Sequence, residues 1–92
     1  MSDNMLYKII YHKKAIKQIP LLKAAKLDMR VQKLLEVLRR DPFAQPPAYE
    51  VLKGDLQGMY SRRINVQHRL VYQVDETTHI VRVLSMWSHY DF

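Results

Sequence analysis
Residues 59–87 read MYSRRINVQHRLVYQVDETTHIVRVLSMW. Three stretches in this run, MYSRRINV, HRLVYQVD and HIVRVLSMW, mix β-branched and aromatic residues with charged ones at a period near two. That period predicts strands, because successive side chains of an extended chain point to opposite faces. The stretches are joined by NVQ and DETT, which carry turn residues and leave room only for tight connections. The run therefore reads as a meander. Its first strand pairs antiparallel with the second, and the second with the third.

Outward from the meander the period changes. VLKGDLQG, residues 51–58, holds both glycines of the chain and predicts a short strand or an irregular turn. FAQPPAY, residues 43–49, is a Pro-rich connector too short to link two domains. Further back, Leu27, Val31, Leu34, Leu35 and Leu38 recur at helical spacing and form one apolar stripe. Asp28 is the predicted cap of that helix. The helix stops at RRDPF, where basic residues suit its negative end and Pro42 blocks continuation. A first helix is predicted over His12–Lys26, with a kink or break at Pro20. A strand is predicted over MLYKIIY, residues 5–11. The order strand, helix, helix, meander defines an α+β class. Two helices pack on one face of an antiparallel sheet, and the other face is left for a ligand.

Residues 1–92 read as one small domain. Hydrophobic residues at 48% and charged residues at 26% exclude an intrinsically disordered chain. Cysteine is absent, which excludes a disulfide framework and a thiolate metal site. No apolar run approaches the length of a membrane span, and the start lacks a signal-peptide pattern. The expectation is a cytoplasmic protein. Lys and Arg number 15 against nine acids, a formal charge of +6. This balance points to a polyanionic partner, nucleic acid first. An acidic protein partner, or a merely solvated basic surface, would satisfy the same charge.

The histidines at 12, 68, 79 and 89 show no recognised metal-ligand spacing, so no metal or other cofactor is expected. His12, His68 and His79 are read as residues of element starts and turns, and Trp87 as packing. Ser61 and Ser88 lack any triad or elbow signature. What remains is acid–base chemistry on RNA, which brings its own nucleophile, the 2′-hydroxyl. Glu50 is the candidate base. His89 is the candidate acid, since a histidine pKa of about 6.5 suits proton transfer near neutral pH. Arg69 is the candidate for stabilising charge on the phosphorane-like transition state. Tyr90 would stack on a base or orient the phosphate. Lys53, Arg62 and Arg63 are the RNA-binding candidates. Strand alternation sends Arg62 and Arg63 to opposite faces, so only one of them, taken to be Arg63, can share a face with Arg69. Taken singly, Glu50 reads better as an ion-pair partner of a strand arginine, and the arginines read as a solvated face or an antitoxin-type interface.

PPAYEVLKGDLQGMYSRRINVQHRLVYQVDE and the terminal VLSMWSHY resemble the Txe/YoeB toxins of the RelE/ParE superfamily of bacterial toxin–antitoxin modules. The resemblance runs from about Tyr7 to Tyr90. It implies a RelE-like, microbial-ribonuclease-like fold. It implies a metal-independent mRNA interferase that cleaves transcripts on the ribosome and stops translation. It puts the general base on Glu50, the transition-state arginine on Arg69, the general acid on His89 and its aromatic neighbour on Tyr90. Lys53 and Arg63 match supporting phosphate-binding positions. An acidic antitoxin of the Phd/YefM type is also implied. Toxin and antitoxin together would repress their own operon, with operator DNA reached only through that complex. A homodimer is consistent with the family. Two other readings are a ParE-like toxin acting on DNA gyrase and a non-catalytic RNA- or antitoxin-binding module. The ParE branch lacks the base–arginine–histidine set. The last strand is expected to continue through MWS and deliver His89 and Tyr90 to the cleft edge.

Overall fold
The computed structural model describes residues 6–87. Lys8–Tyr11 form β1. Helix α1 spans Lys13–Ala24 and is capped by His12, whose Nδ1 accepts the Lys14 N–H at 3.1 Å. That bond satisfies one of the orphan donors of the first turn. Ala15, Gln18 and Leu22, three and four apart, face the core. The helix does not break at Pro20. Pro20 is exposed, as is Ile16 one turn earlier. The carbonyl that loses its donor therefore lies on the wet side of the helix, where water can replace the bond. The end comes instead at a Schellman motif. Leu27 N–H meets the Leu22 carbonyl at 2.8 Å, and Lys26 N–H meets the Lys23 carbonyl at 3.0 Å. Lys26 takes φ 60°, a left-handed conformation that costs a non-glycine residue roughly 1–2 kcal/mol.

That turn runs straight into α2, Asp28–Arg40. Leu27 therefore takes the cap position, without a side-chain bond, and Asp28 does not cap as expected. It is the first helical residue, with its carboxylate at the positive end of the dipole. Val31, Leu34 and Leu38 are buried, and Leu35 packs against the core from its edge. The predicted stripe thus faces the core.

The remaining strands are β2 (Tyr49–Val51), β3 (Tyr60–Arg63), β4 (Arg69–Asp75) and β5 (Ile80–Ser85). VLKGDLQG resolves into the end of β2 and a 3-10 turn at Gly54–Leu56. The sheet order is β1-β5-β4-β3-β2. The predicted hairpins β3–β4 and β4–β5 are antiparallel, and so is β2–β3. β1 departs from the expectation. It lies parallel to β5, with Lys8 opposite Ile80 and Tyr11 opposite Val83, so the sheet is mixed. A parallel neighbour needs a long crossover, which the intervening helices supply.

The helices cover one face of this sheet. Leu70, Tyr72, Val81 and Val83 are fully buried beneath Ala15, Leu22, Leu34 and Leu38. Each fully buried aliphatic side chain is worth roughly 1.5–3 kcal/mol. The β4–β5 register shifts between Val71 and Tyr72, leaving Leu84 as an extra residue on β5. Such a bulge re-aims a strand end, and here Met86 returns to the core beyond it. No helix among the described residues is long and apolar enough to cross a membrane.

Candidate active site
The site is built by alternation across three strands. With Tyr72 and Leu70 in the core, Arg69 and Val71 must face away from the helices. Arg63 stands directly opposite Arg69, and Ser61 opposite Val71. On the next strand Glu50 stands opposite Ser61. Glu50, Ser61, Arg63 and Arg69 accordingly share the sheet face away from the helices. They line one cleft of about 360 Å³, walled on one side by Pro47. Glu50 and Arg69 are two strands and two residues apart, a Cα separation of roughly 12 Å from strand geometry.

The cleft brings two guanidinium groups together with one carboxylate. Two arginines directly opposite one another repel, and a bound phosphate removes the penalty. The Ser61 hydroxyl is buried at the cleft floor and finds no hydrogen-bond partner among the described residues. Lys53 is exposed at the cap of the 3-10 turn and does not line the cleft.

Arg62 requires a correction. It was expected to bind RNA, but its side chain is 1% exposed on the helix side of the sheet. Its Nε donates to the Tyr72 hydroxyl at 3.1 Å and its Nη1 to the Pro47 carbonyl at 2.6 Å. Its Nη2 donates to the carbonyls of Pro42 and Ala44, both at 2.9 Å. The guanidinium also lies 5.1 Å from the centre of the Tyr49 ring. Its hydrogen bonds thus gather the carbonyls of a loop whose prolines cannot donate to a ladder. That loop leads directly into β2 and Glu50. Burial pushes the Tyr72 hydroxyl up to about 12, against the lowering influence of Arg62.

His68 also does more than turn a hairpin. Its ring stacks on Trp87 with centroids 4.1 Å apart, and its Nδ1 lies 2.8 Å from the Trp87 carbonyl. One residue earlier, the Met86 N–H donates to Oε1 of buried Gln18 at 2.6 Å. Sequence reading missed both contacts. His68 lies in the QHRLVY stretch and Trp87 in VLSMWSHY, but no local pattern links them to each other or Met86 to Gln18, and only the fold brings α1, the β3–β4 turn and the end of β5 together. His12 is the cap of α1. His79 sits in the β4–β5 turn at φ 57° and stacks on Tyr7. His89 and Tyr90 lie outside the described residues. Among the described residues no three His, Asp or Glu side chains gather as a metal-ligand group.

The fold is shared with bacterial toxins of known structure. The YoeB/ParE toxin from Agrobacterium tumefaciens superposes with a TM-score of 0.81 at 29% identity, over 90% of this chain and 99% of that one. YoeB from Staphylococcus aureus, solved in a YoeB-YefM complex and as a dimer, gives a TM-score of 0.77 at 31% identity, over 91% of this chain and 98% of that one. Residues 10–90 match the family described as YoeB-like toxin of bacterial type II toxin-antitoxin system, and the chain belongs to that family. The toxin YoeB of Streptomyces coelicolor is 48% identical over 48 residues, 52% of this chain. That alignment spans 57% of the relative's own length.

Proposed function
We propose that the protein is an endoribonuclease of the mRNA-interferase kind, acting in the cytoplasm on transcripts held by the ribosome. Glu50 takes the proton of an RNA 2′-hydroxyl, and the freed oxygen attacks the adjacent phosphorus. Arg69 balances the charge that builds on the phosphate oxygens, where one placed donor is worth roughly 2.7–4 kcal/mol. His89 protonates the departing 5′-oxygen, with Tyr90 beside it. The products are a 2′,3′-cyclic phosphate and a 5′-hydroxyl, and protons balance without a further reactant. Arg63 and Lys53 hold flanking phosphates. The observation that carries this reading is the placement of Glu50, Arg63 and Arg69 in one cleft.

An acidic YefM-type antitoxin would neutralise the toxin by covering this basic cleft, and the pair would bind operator DNA. The chain's +6 charge and the S. aureus YoeB-YefM complex support that partner, and the dimeric S. aureus structure supports self-association. The test maps transcript ends after incubation with translating ribosomes. Wild type should cut, and Glu50→Gln, Arg69→Ala and His89→Gln should each lower the rate at least a hundredfold. Undiminished cutting by all three variants would overturn the assignment.

A further inference from the structure
We propose that His68 is a positioning residue for the reaction proposed above, acting through the backbone of Trp87. A carbonyl oxygen only accepts, so the 2.8 Å contact requires the proton on Nδ1 of His68. The ring is then doubly fixed, by that bond and by its stack on the indole. His68 immediately precedes Arg69, the first residue of β4. Trp87 stands two positions before His89 in the sequence. One side chain therefore ties the arginine end of the cleft to the backbone from which the chain continues to the candidate acid.

The neighbouring contact makes the tie directional. Gln18, from α1, holds the Met86 N–H, and His68 holds the Trp87 carbonyl. Consecutive residues are thus held from two different elements just beyond the β5 bulge. The chain leaves the sheet at a set point and in a set direction. A 1 Å misplacement of a reacting group can cost about a hundredfold in rate, so losing this tie acts on turnover rather than on RNA affinity.

The test separates the donor from the ring. In His68→Asn the amide nitrogen occupies the place of Nδ1, in His68→Gln it reaches only the place of Nε2, and His68→Phe keeps the stack without a donor. For cleavage of a ribosome-bound transcript, His68→Asn should retain kcat within about threefold. His68→Gln and His68→Phe should lower kcat about 10- to 100-fold with little change in KM. Wild-type kcat in His68→Phe, or equal losses in the Asn and Gln variants, would overturn the proposal. Melting curves identify any variant that fails to fold, and the Asn–Gln pair still decides if His68→Phe is lost.

Trp87 is the only tryptophan, which provides a readout independent of catalysis. Time-resolved anisotropy reports the indole, which both the stack and the hydrogen bond restrain, so local motion of Trp87 should be faster in all three variants and fastest in His68→Gln, which loses both. If wild type leaves RNA intact, the proposed function fails while the anisotropy still tests the tie. Identical decays in all four proteins would overturn it.

Discussion

The Arg62 guanidinium and the Tyr72 hydroxyl converge on a single acceptor, the Pro42 carbonyl oxygen, at 2.9 and 2.8 Å. The same hydroxyl accepts from Arg62 Nε, so the three groups close a triangle beneath the sheet. Pro42 ends the predicted second helix, Arg62 lies in β3 and Tyr72 in β4. The triangle fastens the Pro-rich loop to the sheet just upstream of Glu50.

Removing the arginine leaves loop carbonyls without their donor. Arg62→Met should destabilise the fold by about 2–4 kcal/mol, measured by urea denaturation. Arg62→Lys should recover part of that loss, because a single ammonium cannot span three carbonyls and a hydroxyl. A variant as stable as wild type would show that the loop is held by other means.

The raised Tyr72 hydroxyl gives the fold an alkaline limit. Its unfolded value is near 10 and its folded value about 12. The fold retains the neutral phenol, so this stabilisation is complete below pH 10 and is lost as the pH rises toward 12. Stability should therefore decline over that window, and decline less steeply in Tyr72→Phe. Parallel slopes for the two proteins in denaturant titrations from pH 9 to 12 would contradict the assignment.

Arg63 should act on phosphates and Glu50 on the proton. With an RNA blocked at the 2′-hydroxyl, Arg63→Ala should weaken binding. It should also reduce the slope of log affinity against log salt by about 0.7, the value of one phosphate contact on a single strand. Glu50→Gln should leave that slope unchanged. Filter binding across a salt series distinguishes the two.

Gln18 offers a stability test on the other side of the sheet. Gln18→Leu matches the burial but leaves the Met86 N–H without its acceptor, a cost of about 1–3 kcal/mol. Thermal melts should show this loss. An unchanged melting temperature would mean that Met86 finds another acceptor.

Much of the fold was legible because it rests on periods. The stripe of α2 and the alternation of β3, β4 and β5 place their side chains before any contact is known. The same alternation separates Arg62 from Arg63, although it cannot say that a proline loop waits to absorb Arg62. The parallel β1–β5 pairing was not legible, since strand partners distant in sequence leave no local signal. Pro20 misled because a proline's effect depends on which side of the helix it occupies. The start of α2 was misplaced because Lys26, not a glycine, adopts the left-handed turn. Within the cleft, Arg63 and Arg69 follow from strand phase, whereas Glu50 sits on a three-residue strand that no local pattern marked. The His68–Trp87 contact joins a turn to a strand end, and only the assembled sheet creates it.

The pairing of β1 with β5 has a consequence for the life history of the molecule. Synthesis proceeds from the N-terminus, yet β1 sits at the sheet edge with β5 as its neighbour. The first strand and the helices behind it must wait for β5 before β1 has a sheet to join. Contacts of such long range close late and slowly. A protein proposed to attack translation thus closes its sheet only once β5 has been made.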